Sequence, residues 1–313
     1  MGEREWTVGA ADAGVRLDKF LASADRLASR GRASAALERG KVFVNGTEAS
    51  RHDAARRLAA RDVVRFWEDR PGSARPRPRV AGGDDLQIVY EDASLLVINK
   101  PAGLLTVPLA QRPDAVSVYD LVAFRLRSTK RRPFVVHRID RDTSGLVVVA
   151  KDPHTQQQLK TQFKQQEPER VYWAVVEGHP SPRSGVWRDR LAWDRSDLLQ
   201  KPAHPRDARS KEAVCEYSVV ETFARSALIE VRLKTGKRNQ IRIQARLHGH
   251  PIVGERLYAG KAGSPAIAFA RQALHARRLS FRHPADGRLL TFEAPLPADL
   301  TQLLERLRRT GAQ

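Results

Sequence analysis

The sequence predicts an α+β protein in two domains, a small one over residues 1–69 and a large one over 85–313, joined by a flexible linker at 70–84. Three observations carry that expectation. Strand-like apolar runs and amphipathic segments alternate irregularly, without the βαβ rhythm of a doubly wound parallel sheet. The stretch RPGSARPRPRVAGG, 70–83, is rich in Pro, Gly and Arg and has no apolar period, which is linker composition. Hydrophobic residues fill 41% of 313 positions, enough for a real core and too many for wholesale disorder.

In the small domain, whose core is expected over about 15–64, Val15, Leu17, Phe20 and Leu21 fall at helical spacing. SRGRASAALERG, Ser29 to Gly40, reads as a second helix with Gly40 as its left-handed stop. KVFVNGTEA reads as a hairpin, because Asn45-Gly46 supplies the positive φ angles of a tight primed turn. DVVRFWE, Asp62 to Glu68, supplies a closing strand. Arg30, Arg32, Arg39 and Lys41 are then presented together.

The large domain opens with two strands, IVYED and LLVINK, after which Pro101 and Gly103 force a loop. SVYDLVAFRLRS reads as a helix. FVVHRID and GLVVVAK read as strands around a polar loop that holds His137, Arg138, Asp140, Arg141, Asp142, Thr143 and Ser144. HTQQQLKTQFKQQ is a polar helix; ERVYWAVVEG, EYSVVETF, ALIEVRLKT and LLTFEAP are strands. NQIRIQARLHG reads as a helix ending at Gly249. DLTQLLERLRR places Leu300, Leu303, Leu304 and Leu307 on one face, as a terminal helix packed on the sheet would.

The formal net charge of +19 and pI of about 10.8 favour a polyanionic partner, and most of the excess lies beyond the first seventy residues. A membrane partner is not expected, since neither a long apolar run nor a polybasic amphipathic segment occurs. The first residues, MGEREWTVGAADAG, lack a signal-peptide core. One cysteine, Cys215, excludes an internal disulfide and a thiolate zinc cluster, and a reducing cytoplasm fits best. No GxGxxG follows a strand; KTGKR lacks the upstream glycine of a phosphate loop; no HExxH occurs. HRID has none of the companion motifs of a kinase, and His248 and His250 lack ligands at metal spacing. None of the common metal- or cofactor-binding motifs is therefore present in the sequence.

Asp140 lies between Arg138 and Arg141, and a nearby cation favours the carboxylate form. An ionised aspartate in a cleft can act as a nucleophile or stabilise an oxocarbenium-like sugar. Taken alone, an Asp in such a loop is most often a turn former or one half of a surface ion pair.

The surrounding pattern points elsewhere. RLDKFLA followed by SRGRASAALERGKVFVNG resembles the small RNA-binding module named after ribosomal protein S-four. HRIDRDTSGLVVVAK resembles the signature of the RluA-type pseudouridine synthases. NKPAGLLTVP, RVYWAVVEG, LKTGKRNQIRIQARLHGHPIVGERLYAG and LHARRLSFRHP match the same family in its order, across about 86–300. This resemblance implies a pseudouridine synthase fold, with a central mixed, mostly antiparallel sheet and a catalytic cleft. It implies an isomerase that converts uridines of structured RNA to pseudouridine without a cofactor. Ribosomal RNA of the large subunit, or a pre-ribosomal particle, is the expected partner, and the protein is expected to act as a monomer. A tRNA substrate and a non-enzymatic RNA-binding assembly factor are the alternatives.

Carried over residue by residue, the resemblance makes Asp140 the essential catalytic residue, Tyr172 the active-site tyrosine stacking on the flipped uracil, and Arg242 the arginine paired with the aspartate. Arg138 and Thr143 are expected at the substrate, and Arg30, Arg32 and Lys41 on the RNA. The chain departs from the family pattern at Asn239, commonly His, at Glu255, commonly Asp, and at Arg170, commonly Lys. None of these departures is expected to touch Asp140, Tyr172 or Arg242.

Overall fold

The computed structural model describes residues 3–49, 51–68, 86–109, 115–129, 131–194, 199–204, 206–258 and 267–310, with backbone alone at 51 and 52. The linker expected at 70–84 lies outside them. The chain divides into two compact units, Met1–Ala81 with Pro108–Val116, and Gly82–Val107 with Ser117–Gln313.

The smaller unit begins with β1 (Glu3–Thr7), a strand absent from the sequence analysis. EREWT offers one large apolar side chain, Trp6, and a charged strand is tolerated because it lies at a sheet edge. There follow α1 (Leu17–Leu21), α2 (Arg30–Glu38), β2 (Val42–Val44), β3 (Thr47–Ala49) and β4 (Val63–Trp67). The sheet runs β1-β4-β2-β3, antiparallel throughout. Each helix and turn signal acts as the sequence suggests. Ser29 Oγ accepts the Arg32 N–H at 3.1 Å and caps α2. Gly40, at φ 63°, stops it. Asn45 and Gly46, at φ 53° and 74°, make the hairpin turn. Asn45 also fastens that turn to β4, donating to Asp62 Oδ1 and accepting from the Val63 N–H, each at 2.8 Å. Leu17, Phe20, Leu21, Leu37, Val42 and Val64 fill the core, each stabilising the fold by roughly 1.5–3 kcal/mol.

The larger unit contains, in chain order, β5 (Gln87–Glu91), β6 (Leu95–Lys100), α3 (Val118–Leu126), β7 (Phe134–Val135), β8 (Ser144–Ala150), α4 (Pro153–Gln165), β9 (Glu169–Glu177), β10 (Ser184–Asp194), β11 (Leu199–Pro202), β12 (Lys211–Thr222), β13 (Ser226–Leu233), α5 (Gln240–Leu247), β14 (Leu274–Arg282), β15 (Leu289–Glu293) and α6 (Ala298–Thr310). Eleven strands form one sheet in the order β11-β10-β12-β13-β9-β14-β8-β6-β5, with β15 on β14 and β7 on β8. Its pairings are antiparallel except for β14 with β8, which is parallel at His275–Ser144 and Ala276–Gly145. The sheet is thus mixed and mostly antiparallel. The apolar runs of β6 and β8 are buried on both faces, and Leu146, Val148, Leu159, Leu279 and Phe281 join β8, α4 and β14 in one core. Leu300, Leu303, Leu304 and Leu307 bury one face of α6, as their spacing requires.

Three corrections concern strands. FVVHRID is a strand only over Phe134–Val135. The next partner on β8 would be Val148, but its N–H donates to His137 Nε2 at 3.1 Å, so a side chain replaces the backbone acceptor and the pairing ends. The strands β10 and β11 escape the sequence analysis because charged residues interrupt SGVWRDRLAWD and LQKP. LHARRLSFR is read from sequence only as a motif block, yet as β14 it occupies the middle of the sheet.

Candidate active site

The segment between β7 and β8 carries Asp140, and side chains from distant parts of the unit fix its course. Lys100, buried at the end of β6, donates from Nζ to the carbonyls of Pro101, Leu104 and Arg141, each at 2.8 Å. Three acceptors match the three donors of an ammonium; burial opposes that charge and brings the lysine down to about 7. Thr106 Oγ1 donates to the Ile139 carbonyl at 2.8 Å. Arg271 Nη1 donates to the Asp142 carbonyl at 2.9 Å, and Arg271 is itself held by both carboxylate oxygens of Asp299.

Against this loop α5 brings Arg242. Its Nη1 donates to Asp140 Oδ2 at 3.1 Å, while Nε and Nη2 donate to the two oxygens of Glu255, each at 2.7 Å. The Glu255 side chain is 1% exposed and also accepts the backbone N–H groups of Leu257 and Tyr258, at 2.7 and 3.2 Å. The Glu255 carboxyl consequently lies below the usual carboxylate range despite burial, and the Arg242 guanidinium is driven above its own. Asn239, at φ 53° just before α5, completes the cluster. With its amide nitrogen turned to Asp140 it donates to both carboxylate oxygens at 2.9 Å and accepts from the Tyr258 hydroxyl at 3.2 Å, so that both ends of the amide are satisfied.

Asp140 and Arg242 open onto a cavity of about 490 Å³, within the ~300–1,000 Å³ typical of small-molecule sites. Tyr172, on β9, lines it; burial pushes its phenol up to about 12, so it is neutral at physiological pH. Arg138 and Thr143 line the same cavity, so all five residues expected at the site in this unit come together. Arg30, Arg32 and Lys41 belong to the other unit. Arg30 and Arg32 are exposed on α2, and Lys41 donates to the Glu68 carbonyl.

Two expectations are overturned. Arg141 does not reach Asp140: its guanidinium pairs with the adjacent Asp142 through two bonds of 3.1 Å, which occupy its Nε and Nη2. The departures at Asn239 and Glu255 are not remote from the site either, since one touches Asp140 and the other grips Arg242. Glu255 is 13 residues from Arg242, and no local spacing announces the pair. Lys100 was equally hidden in NKPAG, where a lysine before proline carries no sign of burial.

Among the described residues no cluster of three or more His, Cys, Asp or Glu could hold a metal, and no helix is long and apolar enough to cross a membrane. Cys215 is buried, its thiol pushed up to about 12. His248 stacks on Trp187 and bonds to Asp189; His250 bonds to the Glu177 carbonyl.

Asp140, held by Arg242, is the one carboxylate among the described residues that line the cavity. The fold agrees with two solved structures, human RNA pseudouridylate synthase domain-containing proteins 4 and 1. The first matches with a TM-score of 0.60 at 24% identity, covering 71% of this chain and 93% of that one. The second matches with a TM-score of 0.56 at 21% identity, covering 73% and 96%. Residues 94–247 match the family model of RNA pseudouridylate synthases. Ribosomal large subunit pseudouridine synthase D of Zymomonas mobilis is 38% identical over 94% of each chain. The RNA pseudouridine synthase YlyB of Bacillus subtilis is 36% identical over 95% of each, and that of Synechocystis, slr1629, is 35% identical over 95% of this chain and 90% of that one. The chain belongs to the RNA pseudouridine synthase family of RluA type, isomerases that convert uridine in RNA to pseudouridine.

Proposed function

We propose that this pseudouridine synthase modifies ribosomal RNA of the large subunit, in the cytoplasm and as a monomer, with Asp140 as its catalytic carboxylate. The observation that carries the reading is the Arg242–Asp140 pair at 3.1 Å, open to a cavity large enough for an extruded nucleotide. The names of relatives such as the Zymomonas enzyme support the large-subunit substrate. A uridine stacked in RNA hides its sugar and ring, so it must be flipped out at a cost of roughly a few kcal/mol, which basic contacts to phosphates offset. Asp140 then attacks the anomeric carbon, or removes the neighbouring ribose proton so that a glycal forms. The bond from C1′ to N1 breaks, the uracil turns, and C5 bonds to C1′. Arg242 orients Asp140, and Tyr172 stacks on the uracil while remaining a neutral phenol. Arg138 and Thr143 hold the nucleotide. In the smaller unit Arg30, Arg32 and Lys41 grip structured RNA.

The test is incubation with transcribed large-subunit RNA and with partly assembled subunits, followed by mapping of carbodiimide-dependent reverse-transcription stops. Specific new stops are expected with the wild type. Asp140→Asn is expected to abolish them while RNA affinity stays within about threefold. Stops confined to tRNA would overturn the substrate, and an active Asp140→Asn would overturn the residue's role.

A further inference from the structure

We propose that Arg170 takes up the negative charge left on the uracil ring when its bond to the sugar breaks, making it a further catalytic residue; the proposal rests on the reading above. Arg170 and Tyr172 are two residues apart on β9, so their side chains share a face, and both line the cavity. Among the described residues of this unit three arginines are buried: Arg170, Arg242 and Arg271. Arg242 has both oxygens of Glu255, and Arg271 has both of Asp299. Arg170 has no acidic partner among the described residues. Its Nη2 makes two long bonds, 3.4 Å to the Leu233 carbonyl and 3.3 Å to that of Lys234. Its guanidinium lies 5.7 Å from the centre of the Phe163 ring. Its Nε is buried with no hydrogen-bond partner. A buried cation without a counter-charge is costly. An anion that forms beside it during the reaction would relieve that cost at the moment it matters, which is the logic of a preorganised oxyanion site.

The reaction supplies such an anion along either route. In the first, an Asp140 oxygen bonds to C1′; in the second, the carboxylate takes the proton from C2′. In both, the C1′–N1 bond breaks with its electron pair going to the ring, which becomes a uracil anion with charge shared among N1 and the exocyclic oxygens. Formation of the C5–C1′ bond consumes that charge; the bond from C1′ to the Asp140 oxygen breaks in the first route, or the proton held by Asp140 returns to C2′ in the second, and the proton then lost from C5 is balanced by one taken up at N1. A guanidinium N–H donating to an exocyclic oxygen stabilises the detached ring while it turns. A phosphate is the other anion on offer. However, exposed Arg138 and Lys164 and half-buried Lys237 occupy the outer lining where the RNA backbone would pass, whereas Arg170 is only 8% exposed.

Gly236 offers an independent handle. A Cβ there would lie 2.6 Å from Arg170 Nη1, so Gly236→Ala displaces the guanidinium while keeping its charge. The experiment compares wild type, Arg170→Gln, Arg170→Lys and Gly236→Ala, each first checked for wild-type circular dichroism. Single-turnover rates at saturating enzyme are expected to fall about 100- to 1,000-fold in Arg170→Gln. Arg170→Lys should recover part of this, and Gly236→Ala should fall in the same direction. RNA Kd and its salt dependence should stay near wild type. If instead Kd weakens with an unchanged saturating rate, Arg170 is a phosphate holder and the proposal falls; it falls also if neither quantity moves. A second readout does not depend on turnover: barbiturate, an anionic analogue of the detached ring, should bind the wild type and not Arg170→Gln in calorimetry. Equal behaviour of the two proteins, including failure of both to bind, overturns the proposal. A wild type inactive on large-subunit RNA would refute that substrate, while barbiturate binding still decides the role of Arg170.

Discussion

Arg242 divides one guanidinium plane between two acids, and the division is unequal. Glu255 takes two bonds of 2.7 Å and Asp140 one of 3.1 Å. Most of the cation is therefore spent on Glu255, and Asp140 is steered rather than neutralised. Glu255→Ala would leave a buried guanidinium short of its stronger partner, at an expected cost of about 3–5 kcal/mol in urea unfolding. Turnover should fall even at temperatures where the variant remains folded, because Arg242 is free to swing toward Asp140 or away from it. Wild-type stability together with a wild-type rate would show that Glu255 does not hold the pair. At this scale the sequence supplied the side chains that meet at the cavity, because Asp140, Tyr172 and Arg242 lie within recognisable blocks. It did not supply their keepers. Glu255, Asn239 and Lys100 act through contacts that span the fold, and a residue's own neighbours in the chain say nothing of such partners.

Among the elements, the junction of β8 and β14 governs where the Asp140 loop must end. Gly145 sits there at φ +110°, and a Cβ on it would fall 2.1 Å from the Ala276 carbonyl oxygen. Both the backbone angle and the space demand glycine. Gly145→Ala is expected to destabilise the protein by at least about 2–3 kcal/mol, read as a lowered urea midpoint, and to reduce turnover by shifting the loop. An unshifted midpoint would mean that the two strands part easily there. Apolar runs and helical spacing made β6, β8, β9 and the helices legible; the structure adds the caps Ser29, Ser117 and Asp152. The strands that sequence reading missed, β1, β10, β11 and β14, carry charge on the face turned to solvent or lie at an edge. Their apolar period is too short to declare itself before the sheet is known.

The whole molecule responds to acid through buried histidine. His275 is wholly buried; its Nε2 donates to the Ala294 carbonyl and its Nδ1 accepts from the Ser144 hydroxyl at 2.9 Å. Burial brings its imidazole down from 6.5 to about 4. The unfolded chain therefore binds a proton below pH 6.5 that the folded chain refuses until about pH 4. The stability that His275 contributes is complete above pH 6.5 and lost as the pH falls through that interval, on the order of 3 kcal/mol. The urea midpoint should drop between pH 7 and pH 4.5, and His275→Gln should lessen that drop without removing it, since burial also brings the His137 imidazole down to about 3; equal slopes in both proteins would exclude His275 as a source. The same molecule-wide connectivity has a bearing on synthesis. The clamp on the Asp140 loop draws on Lys100, Thr106 and Arg271, and the carboxylate itself on Arg242. A ribosome making this chain must deliver all but its last few dozen residues before the clamp can close. Until then the nascent polypeptide carries the Asp140 loop without the full set of side chains that fix its course.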